Sequence, residues 1–266
     1  MDPRPRYLAP RYKGSGKLQG KVALITGGDS GIGRSVAVLY AREGANVSII
    51  YLAPEQSDAD ETKRAVEAEG TNCLLLCGDV TQPLFCRDAV ARTHKEFGGL
   101  DILVNNAAYQ QEQLCFEDIT EEQFDQTFKT NIYGYFYMIK AALPFLRKGS
   151  VIINCGSVAG QNGNPKLIDY AASKAAIHGL TKSLAQNLAD RQIRVNCVAP
   201  GPIWTPLQPV SKSPQSVAEH GADNPMHRPG QPEEVSPAFV FLAAEADSSY
   251  ISGEILVVNG ADPSAA

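Results

Sequence analysis

The stretch VALITGGDSGIGR, residues 22–34, joins a short aliphatic run to a glycine-rich turn and the start of a helical pattern. The run Val22–Thr26 is apolar on both faces, which is typical of a strand buried in a parallel sheet. Glycines at positions 27, 28, 31 and 33 allow the backbone to turn sharply. The stretch therefore predicts a strand, a tight turn and a helix, the opening of a β–α–β unit.

The same alternation continues to the end of the chain. Helices are predicted around residues 32–43, 57–69, 83–97, 121–147, 170–189 and 232–244. No repeat or linker interrupts residues 21–266, so they are predicted to form one domain. The pattern predicts an α/β fold, a doubly wound (Rossmann) parallel sheet of about seven strands with helices on both faces. The candidate strands are Val22–Thr26, Val47–Leu52, Cys73–Cys77, Ile102–Asn105, Val151–Cys155, Arg194–Val198 and Ile255–Val258.

Residues 1–20 differ from the rest of the chain. Pro3, Pro5 and Pro10 forbid a regular helix, and five basic residues accompany a single acidic one, Asp2. These features predict an extended N-terminal arm that lies on its own subunit or on a neighbouring one.

Composition excludes several classes of protein. The 266 residues are 44% hydrophobic and 20% charged, enough for a large core, and the net charge of −5 argues against nucleic-acid or anionic-membrane binding. No apolar run approaches the ~20 residues of a membrane span, and the N-terminus lacks a signal-peptide core. The histidines show no metal-ligand spacing, so no metal site is predicted. Six dispersed cysteines predict reduced thiols and a cytoplasmic location.

The glycine-rich turn is a candidate anion site. Helix N-terminal amides and the helix dipole favour a pyrophosphate at this position. The spacing is G-x-x-x-G-x-G and not the G-x-G-x-x-G dinucleotide fingerprint, and a purely structural turn is the alternative. The location after the first strand of a doubly wound sheet favours a nucleotide.

The end of the second strand bears on the choice of nucleotide. NAD sites usually carry an acidic residue there that binds the ribose 2′-hydroxyl, whereas positions 51–53 carry none and Glu55 follows only after Pro54. No arginine lies there either, and Arg34 is the nearest basic residue in sequence. NADP(H) is favoured over NAD(H), unless Tyr51 and Leu52 only shape an adenine pocket for either cofactor.

Tyr170 and Lys174 are four residues apart in a predicted helix and share one of its faces. They could be a packed phenol beside a solvated charge. They could also be an acid whose pKa is lowered by a neighbouring ammonium, since a free tyrosine with a pKa near ~10 is a poor base at neutral pH.

Five segments in order now form a recognisable set: TGGDSGIG (26–33), NNAA (105–108), NCGSVAG (154–160), YAASK (170–174) and VAPGPIWTP (198–206). From about Lys21 onward the chain resembles the short-chain dehydrogenase/reductase family. The GGDSGIGR loop and proline-rich arm are similar to a branch containing aldehyde reductases and glucose/ribitol-type dehydrogenases. The resemblance implies an NAD(P)-dependent oxidoreductase that transfers hydride to a carbonyl or from an alcohol, and a homotetramer.

The resemblance also implies residue roles. Tyr170 would be the proton donor or base, Lys174 would bind the nicotinamide ribose and lower the pKa of the tyrosine, and Ser157 would polarise the substrate oxygen. Asn131 would hold a water between Lys174 and solvent. A structural role for Asn105 is an alternative to cofactor contact. The implied cofactor contacts are Thr26, Gly27, Ser30, Gly31, Ile32, Gly33, Tyr51, Asp79, Val80, Asn105, Tyr170, Lys174, Pro200, Gly201, Ile203 and Thr205.

The long proline-rich segment after the sixth strand is typical of a substrate lid, in which Trp204, His220 and His227 either touch substrate or fill the loop. Polar side chains near two expected pocket walls favour a polar aldehyde, ketone, sugar or polyol: Tyr109, Gln110, Gln111, Gln161 and Asn162. A catalytically silent dinucleotide sensor or scaffold is the alternative function, and an epimerase or dehydratase is a third.

Overall fold

A computed structural model describes residues 1–262, so the last four residues of the predicted domain lie outside the described residues. Seven strands form one sheet in the order β3-β2-β1-β4-β5-β6-β7, and every neighbouring pair is parallel. The predicted doubly wound sheet is confirmed. The strands are β1 (Val22–Thr26), β2 (Asn46–Tyr51), β3 (Cys73–Cys77), β4 (Ile102–Asn105), β5 (Val151–Cys155), β6 (Arg194–Pro200) and β7 (Ile255–Val258).

Strand order reverses between β1 and β4, which pair directly although β2 and β3 come between them in the chain. The connections after these two strands lead away to opposite sides, and a crevice opens at their carboxyl ends. The sequence motifs that end β1, β4, β5 and β6 therefore lie at one edge of the sheet.

The six predicted helices are present, with two changes. The segment predicted as one helix over 121–147 is Glu121–Phe128, a π-helical turn Lys129–Tyr133 and Gly134–Ala142. Four helices of four or five residues were not predicted, because they are too short to show a helical period. The helices are α1 (Gly31–Arg42), α2 (Gln56–Ala68), α3 (Pro83–Phe97), α4 (Glu121–Phe128), α5 (Gly134–Ala142), α6 (Ala159–Asn162), α7 (Ile168–Asn187), α8 (Leu207–Ser211), α9 (Pro214–Ala218), α10 (Pro232–Ala243) and α11 (Glu245–Ser248).

The core has one layer on each face of the sheet. Ile25 of β1 packs in the layer that includes Tyr40 of α1 and Phe239 of α10. Leu24, its neighbour in the strand, packs in the layer that includes Val90 of α3 and Met138 of α5. Successive strand residues point to opposite faces, so the aliphatic run Val22–Thr26 is buried on both sides, as its composition predicts.

Residues 1–20 run along the outside of this domain. Tyr12 donates from its hydroxyl to Glu43 at the end of α1, and the same carboxylate accepts from the backbone amides of Ser15 and Lys17 at 2.9 Å each. Leu18 is fully buried. Within residues 1–262, none of the helices combines the length and hydropathy needed to cross a lipid bilayer.

Candidate active site

A cavity of about 460 Å³ opens at the carboxyl ends of the strands. Its walls come from the glycine-rich turn, the ends of β2, β3 and β5, the start of α7, and the segments after β4 and β6. Most of the predicted site residues line it: Gly27, Ser30, Gly31, Ile32, Tyr51, Asp79, Val80, Ser157, Tyr170, Lys174, Pro200, Gly201, Ile203 and Thr205.

The glycine-rich turn forms a cradle that side chains would fill. Gly27 and Gly31 have φ angles of 61° and 51°, in the left-handed region that favours glycine. A Cβ at Gly33 would overlap the carbonyl oxygen of Gly27. Ser30 precedes α1 without capping it through its side chain, and Ser30, Gly31 and Ile32 line the cavity, so the start of the helix borders it without that partner for its amides.

Thr26 and Asn106 hold this turn from behind. The Thr26 hydroxyl oxygen accepts hydrogen bonds from the amides of Asn106 and Ala107 at 2.8 and 2.9 Å, and the Asn106 side chain donates to the Gly27 carbonyl at 3.0 Å. Thr26 is 1% exposed and does not line the cavity. The sequence argument did not single out Asn106; the adjacent asparagines of NNAA were the available signal.

Two more predicted cofactor residues lie behind the cavity wall. Asn105 is fully buried and donates to Asn154 of the neighbouring strand at 2.9 Å, which is the structural alternative considered for it. Gly33 packs against Gly27 inside the turn. Together with Thr26, these residues shape the cavity without lining it.

The end of the cavity near β2 and β3 carries three acidic residues among those that line it: Asp29, Glu55 and the predicted Asp79. Asp29 and Glu55 were not predicted there. Burial raises the pKa of both groups, and Asp29 further raises the pKa of Glu55, which shows that the two are close. Glu55 accepts from the Leu52 amide at 2.8 Å. The carboxylate was visible in the sequence, but only the turn at Pro54 brings it back to the strand end.

Arg34, the basic residue nearest to this region in sequence, points away from the cavity. Its guanidinium donates to the Asp29 carbonyl at 2.8 Å and pairs with Asp58 and Glu61 at 2.8 and 3.1 Å. Among the described residues that line the cavity, Lys174 is the only Lys or Arg side chain. None of the described residues that line the β2 end of the cavity is therefore an arginine or lysine that could bind a phosphate there.

Ser157, Tyr170 and Lys174 come together at the other end. Tyr170 stands in the first turn of α7, and its hydroxyl forms a side-chain hydrogen bond with Ser157 at the end of β5. Lys174 is one turn further along and 1% exposed. Its Nζ donates to the Cys155 carbonyl at 2.7 Å and lies 5.4 Å from the centre of the Tyr170 ring.

The electrostatics of this group differ from the sequence-based expectation. Burial of the hydroxyl raises the pKa of Tyr170, the neighbouring Cys155 thiol raises it further, and the hydrogen bond with Ser157 opposes both. Burial also lowers the pKa of Lys174, whose ammonium is aimed at a backbone carbonyl. Desolvation thus outweighs the expected effect of the ammonium, and Tyr170 is a neutral phenol at neutral pH.

Asn131 lies on the π-helical turn and is fully buried. Its carbonyl oxygen accepts from the Tyr109 amide at 2.8 Å, and its amide group donates to the Tyr109 carbonyl and to the Ser173 hydroxyl, both at 2.9 Å. The side chain therefore ties the segment after β4 to α7. The predicted water link to Lys174 stays a prediction.

The segment after β6 forms the remaining wall. Ile203 pairs with Gly230 in an isolated bridge, and the His220 ring nitrogen Nε2 lies 3.2 Å from the Ile203 carbonyl. Trp204 donates from its indole nitrogen to the Pro3 carbonyl at 2.8 Å. Neither Trp204, His220 nor His227 lines the cavity, and neither do Gln161 and Asn162 of α6. Tyr109, Gln110 and Gln111 do line it, together with Gln126, Thr130 and Gln208, which were not predicted.

Comparison with known proteins adds three findings. A protein-family model described as Enoyl-(Acyl carrier protein) reductase matches residues 27–260. The chain is 46% identical over 265 residues to the glucose and ribitol dehydrogenase of Daucus carota, covering 98% of this chain and 91% of that protein. It is 44% identical over 265 residues to the chloroplastic NADPH-dependent aldehyde reductase 1 of Arabidopsis thaliana, covering 98% and 92%.

Among solved structures, a short chain dehydrogenase from Burkholderia cenocepacia J2315 in complex with NADP superposes with a TM-score of 0.85. The two sequences are 33% identical, and the match covers 92% of this chain and 98% of that one.

Proposed function

The chain belongs to the short-chain dehydrogenase/reductase family, and we propose that it reduces polar, hydroxyl-bearing aldehydes, ketones or sugars with NADP(H) and oxidises the corresponding alcohols. The reaction class is that of the family, an oxidoreductase that transfers hydride between a nicotinamide cofactor and a carbonyl or alcohol. The observation that carries the proposal is the convergence of Ser157, Tyr170 and Lys174 in the cavity that also contains the glycine-rich turn.

The cavity fits a dinucleotide. The turn is closed to side chains at Gly33, and the amides that begin α1 face the space where a pyrophosphate would be held. The nicotinamide cofactor, when bound, supplies or accepts the hydride. Pro200, Ile203 and Thr205 provide the wall beside the catalytic group.

We propose that the chain's own residues move the proton. Tyr170, a protonated phenol whose pKa is raised by desolvation, donates its hydroxyl proton to the oxygen that gains charge when a carbonyl is reduced. Ser157 donates a hydrogen bond to that oxygen and orients it. Lys174, fixed on the Cys155 carbonyl, places a positive charge next to the phenol as it loses its proton. In the oxidation direction the same tyrosine acts as the base.

NADP(H) is the preferred cofactor in this proposal. The strand end at 51–53 has no acidic residue, and Glu55 is engaged by the Leu52 amide. Because no arginine or lysine among the described lining residues stands at that end, we expect kcat/KM for NADPH to exceed that for NADH by less than about tenfold. Initial rates with both cofactors on a panel of aldehydes, ketones, sugars and polyols test the preference and the reaction together.

Replacing Glu55 by Gln raises kcat/KM with NADPH about three- to tenfold and leaves the value with NADH nearly unchanged. The substitution removes a negative charge beside the β2 end of the cavity, where it opposes a 2′-phosphate. Steady-state kinetics with each cofactor measure the effect. Glu67→Gln, which removes an exposed carboxylate of α2 that pairs with Lys63, is the matched control. An equal change of kcat/KM with both cofactors would contradict the placement of the Glu55 charge beside the 2′-phosphate.

The polar lining supports a hydroxylated substrate. Gln208 of α8 is 8% exposed, and its side-chain oxygen Oε1 is buried without a hydrogen-bond partner among the described residues. Its amide nitrogen donates to the Ile203 carbonyl at 3.5 Å, so the free atom is the acceptor. A buried acceptor without a partner costs free energy until a donor reaches it. A substrate hydroxyl is such a donor.

Gln208→Leu lowers the ratio of kcat/KM for glyceraldehyde to kcat/KM for propanal by about tenfold, because the variant loses the acceptor for the hydroxyl that only glyceraldehyde carries. Both aldehydes are assayed with NADPH. Gln215→Leu on the surface of α9, where the glutamine contacts Glu219, is the control and leaves the ratio unchanged. An unchanged ratio in Gln208→Leu would remove Gln208 from the substrate site.

We also propose a homotetramer that works in the cytoplasm. Phe124 of α4, Tyr133 of the π-helical turn and Phe136 of α5 are 44–48% exposed, which supports burial against another subunit. All six cysteines are free thiols, which supports a reducing compartment. Light scattering after size-exclusion chromatography measures the molar mass of the assembly. We expect the mass of a tetramer for the unmodified chain and a lower mass for Phe136→Glu.

A further inference from the structure

The N-terminal arm reaches two walls of the cofactor cavity that are formed by segments far apart in the chain. Residues 3–7 contact Trp204 in the segment after β6 at one end and Arg34 behind the glycine-rich turn at the other. We propose, on the basis of the cofactor site of the proposed function, that these arm residues are positioning residues of that site, so that docking of the arm and binding of the nicotinamide cofactor reinforce each other.

The first contact fixes the wall after β6. The Trp204 indole donates to the Pro3 carbonyl at 2.8 Å, and the Arg6 amide donates to the Gln231 side chain at 2.9 Å. The backbone amide of Trp204 also donates to the Gly230 carbonyl at 2.8 Å, and Gly230 directly precedes Gln231. The neighbours of Trp204 in the chain, Ile203 and Thr205, line the cavity. The arm therefore holds, from outside, the backbone that presents these two side chains.

The second contact fixes the glycine-rich turn. The ring of Tyr7 lies 5.0 Å from the guanidinium carbon of Arg34, and its hydroxyl donates to Glu61 at 2.8 Å. Arg34 is 5% exposed and donates to the Asp29 carbonyl at 2.8 Å, inside the turn. Removal of the Tyr7 ring exposes the Arg34 guanidinium to water and weakens its hydrogen bond to the Asp29 carbonyl.

The two walls meet at the cavity. A Cβ at Gly31 would lie 3.3 Å from the side chain of Thr205, so the glycine-rich turn and the segment after β6 are in close contact there. A cofactor that occupies the cavity touches both walls, and it binds more tightly when both are already in place. By thermodynamic linkage, the cofactor must then stabilise the docked arm by the same factor.

A purely structural arm would behave differently, and the chain contains its own control. Tyr12 anchors the arm at Glu43, at the far end of α1 from the glycine-rich turn, and neither residue lines the cavity. Loss of the Tyr12 hydroxyl weakens the attachment of residues 12–17 to the end of α1 and leaves the contacts of residues 3–7 with both walls in place.

The test compares Tyr7→Ala and Trp204→Phe with Tyr12→Phe. We expect the first two to raise the dissociation constant of NADPH about five- to twentyfold, measured by titration with the fluorescence of NADPH itself as the signal. For both variants kcat at saturating cofactor should stay within about twofold of the unmodified enzyme. Tyr12→Phe lowers the melting temperature and leaves the dissociation constant unchanged. Tyr7→Phe, which keeps the ring, restores most of the affinity lost in Tyr7→Ala. The proposal is overturned if all the variants weaken NADPH binding equally or if none does.

Hydrogen exchange on the unmodified chain tests the reciprocal effect without any substitution. Saturating NADPH should slow exchange in residues 3–9, whereas peptides covering residues 12–18 should exchange at the same rate with and without the cofactor. Equal protection of both segments, or protection of neither, would refute the coupling.

Discussion

Tyr170→Phe should lower kcat for carbonyl reduction about 10²–10⁴-fold, the usual contribution of a general acid. The substitution removes one hydroxyl from a ring that otherwise keeps its packing in the first turn of α7. Because the variant retains the glycine-rich turn and Lys174, the dissociation constant of NADPH should change little. Stopped-flow measurement of hydride transfer at saturating NADPH separates the chemical step from product release.

Tyr135→Phe is the matched control for this loss. Tyr135 is a fully buried tyrosine, its ring centre lies 5.6 Å from the Lys174 Nζ, and its hydroxyl donates to the Cys155 carbonyl at 3.2 Å. It does not line the cavity, so Tyr135→Phe should retain activity within a few-fold of the unmodified enzyme. Comparable losses in the two variants, or near-normal turnover in Tyr170→Phe, would exclude Tyr170 as the proton donor.

The sequence was sufficient to predict which backbone segments meet at the site, and the reasons are physical. A glycine turn after a buried strand and polar residues at the ends of parallel strands must meet at one edge of a doubly wound sheet. Tyr170 and Lys174 were singled out by their spacing, and Ser157 by the resemblance to a known family; the three do share a cavity. The helix spacing between Tyr170 and Lys174 required only the period of α7.

The hydrogen-bond and ion-pair partners of individual side chains could not be predicted in the same way. Arg34 was the basic residue nearest to the cofactor region in sequence, but Asp58 and Glu61 of the next helix draw it to the outside. Thr26 was assigned to the cofactor, yet its hydroxyl accepts the two amides that follow β4. These outcomes depend on residues that are distant in the chain, and a local motif carries no information about them.

Protonation of Tyr170 illustrates the same limit. A tyrosine four residues before a lysine suggests a lowered pKa if both groups are solvated. Burial changes the balance, because desolvation penalises the phenolate and the ammonium together. The desolvation of both groups becomes known only when the cavity is described.

Alcohol oxidation should therefore accelerate with pH, by about tenfold per pH unit between pH 6 and 9, while carbonyl reduction stays flat. The pKa of Tyr170 lies above its usual value, so the phenol is protonated throughout this range. Reduction uses that protonated form, which is always present. Oxidation uses the phenolate, whose small fraction rises with each unit of pH. Initial rates measured at each pH give kcat/KM for the alcohol with NADP⁺ and for the aldehyde with NADPH. These values, plotted against pH, are the two profiles.

The neighbouring groups make this profile specific to the tyrosine. Burial lowers the pKa of His178 to about 4, so it does not titrate between pH 6 and 9, and burial raises the pKa of the Cys155 thiol. Burial lowers the pKa of Lys174, so loss of its charge would make the oxidation profile level off at the alkaline end instead of steepening it. Tyr170→Phe should abolish the slope. An oxidation rate that levels off above about pH 7, or a reduction rate that falls as pH rises through neutrality, would show that the phenol ionises near pH 7. The ammonium would then outweigh desolvation.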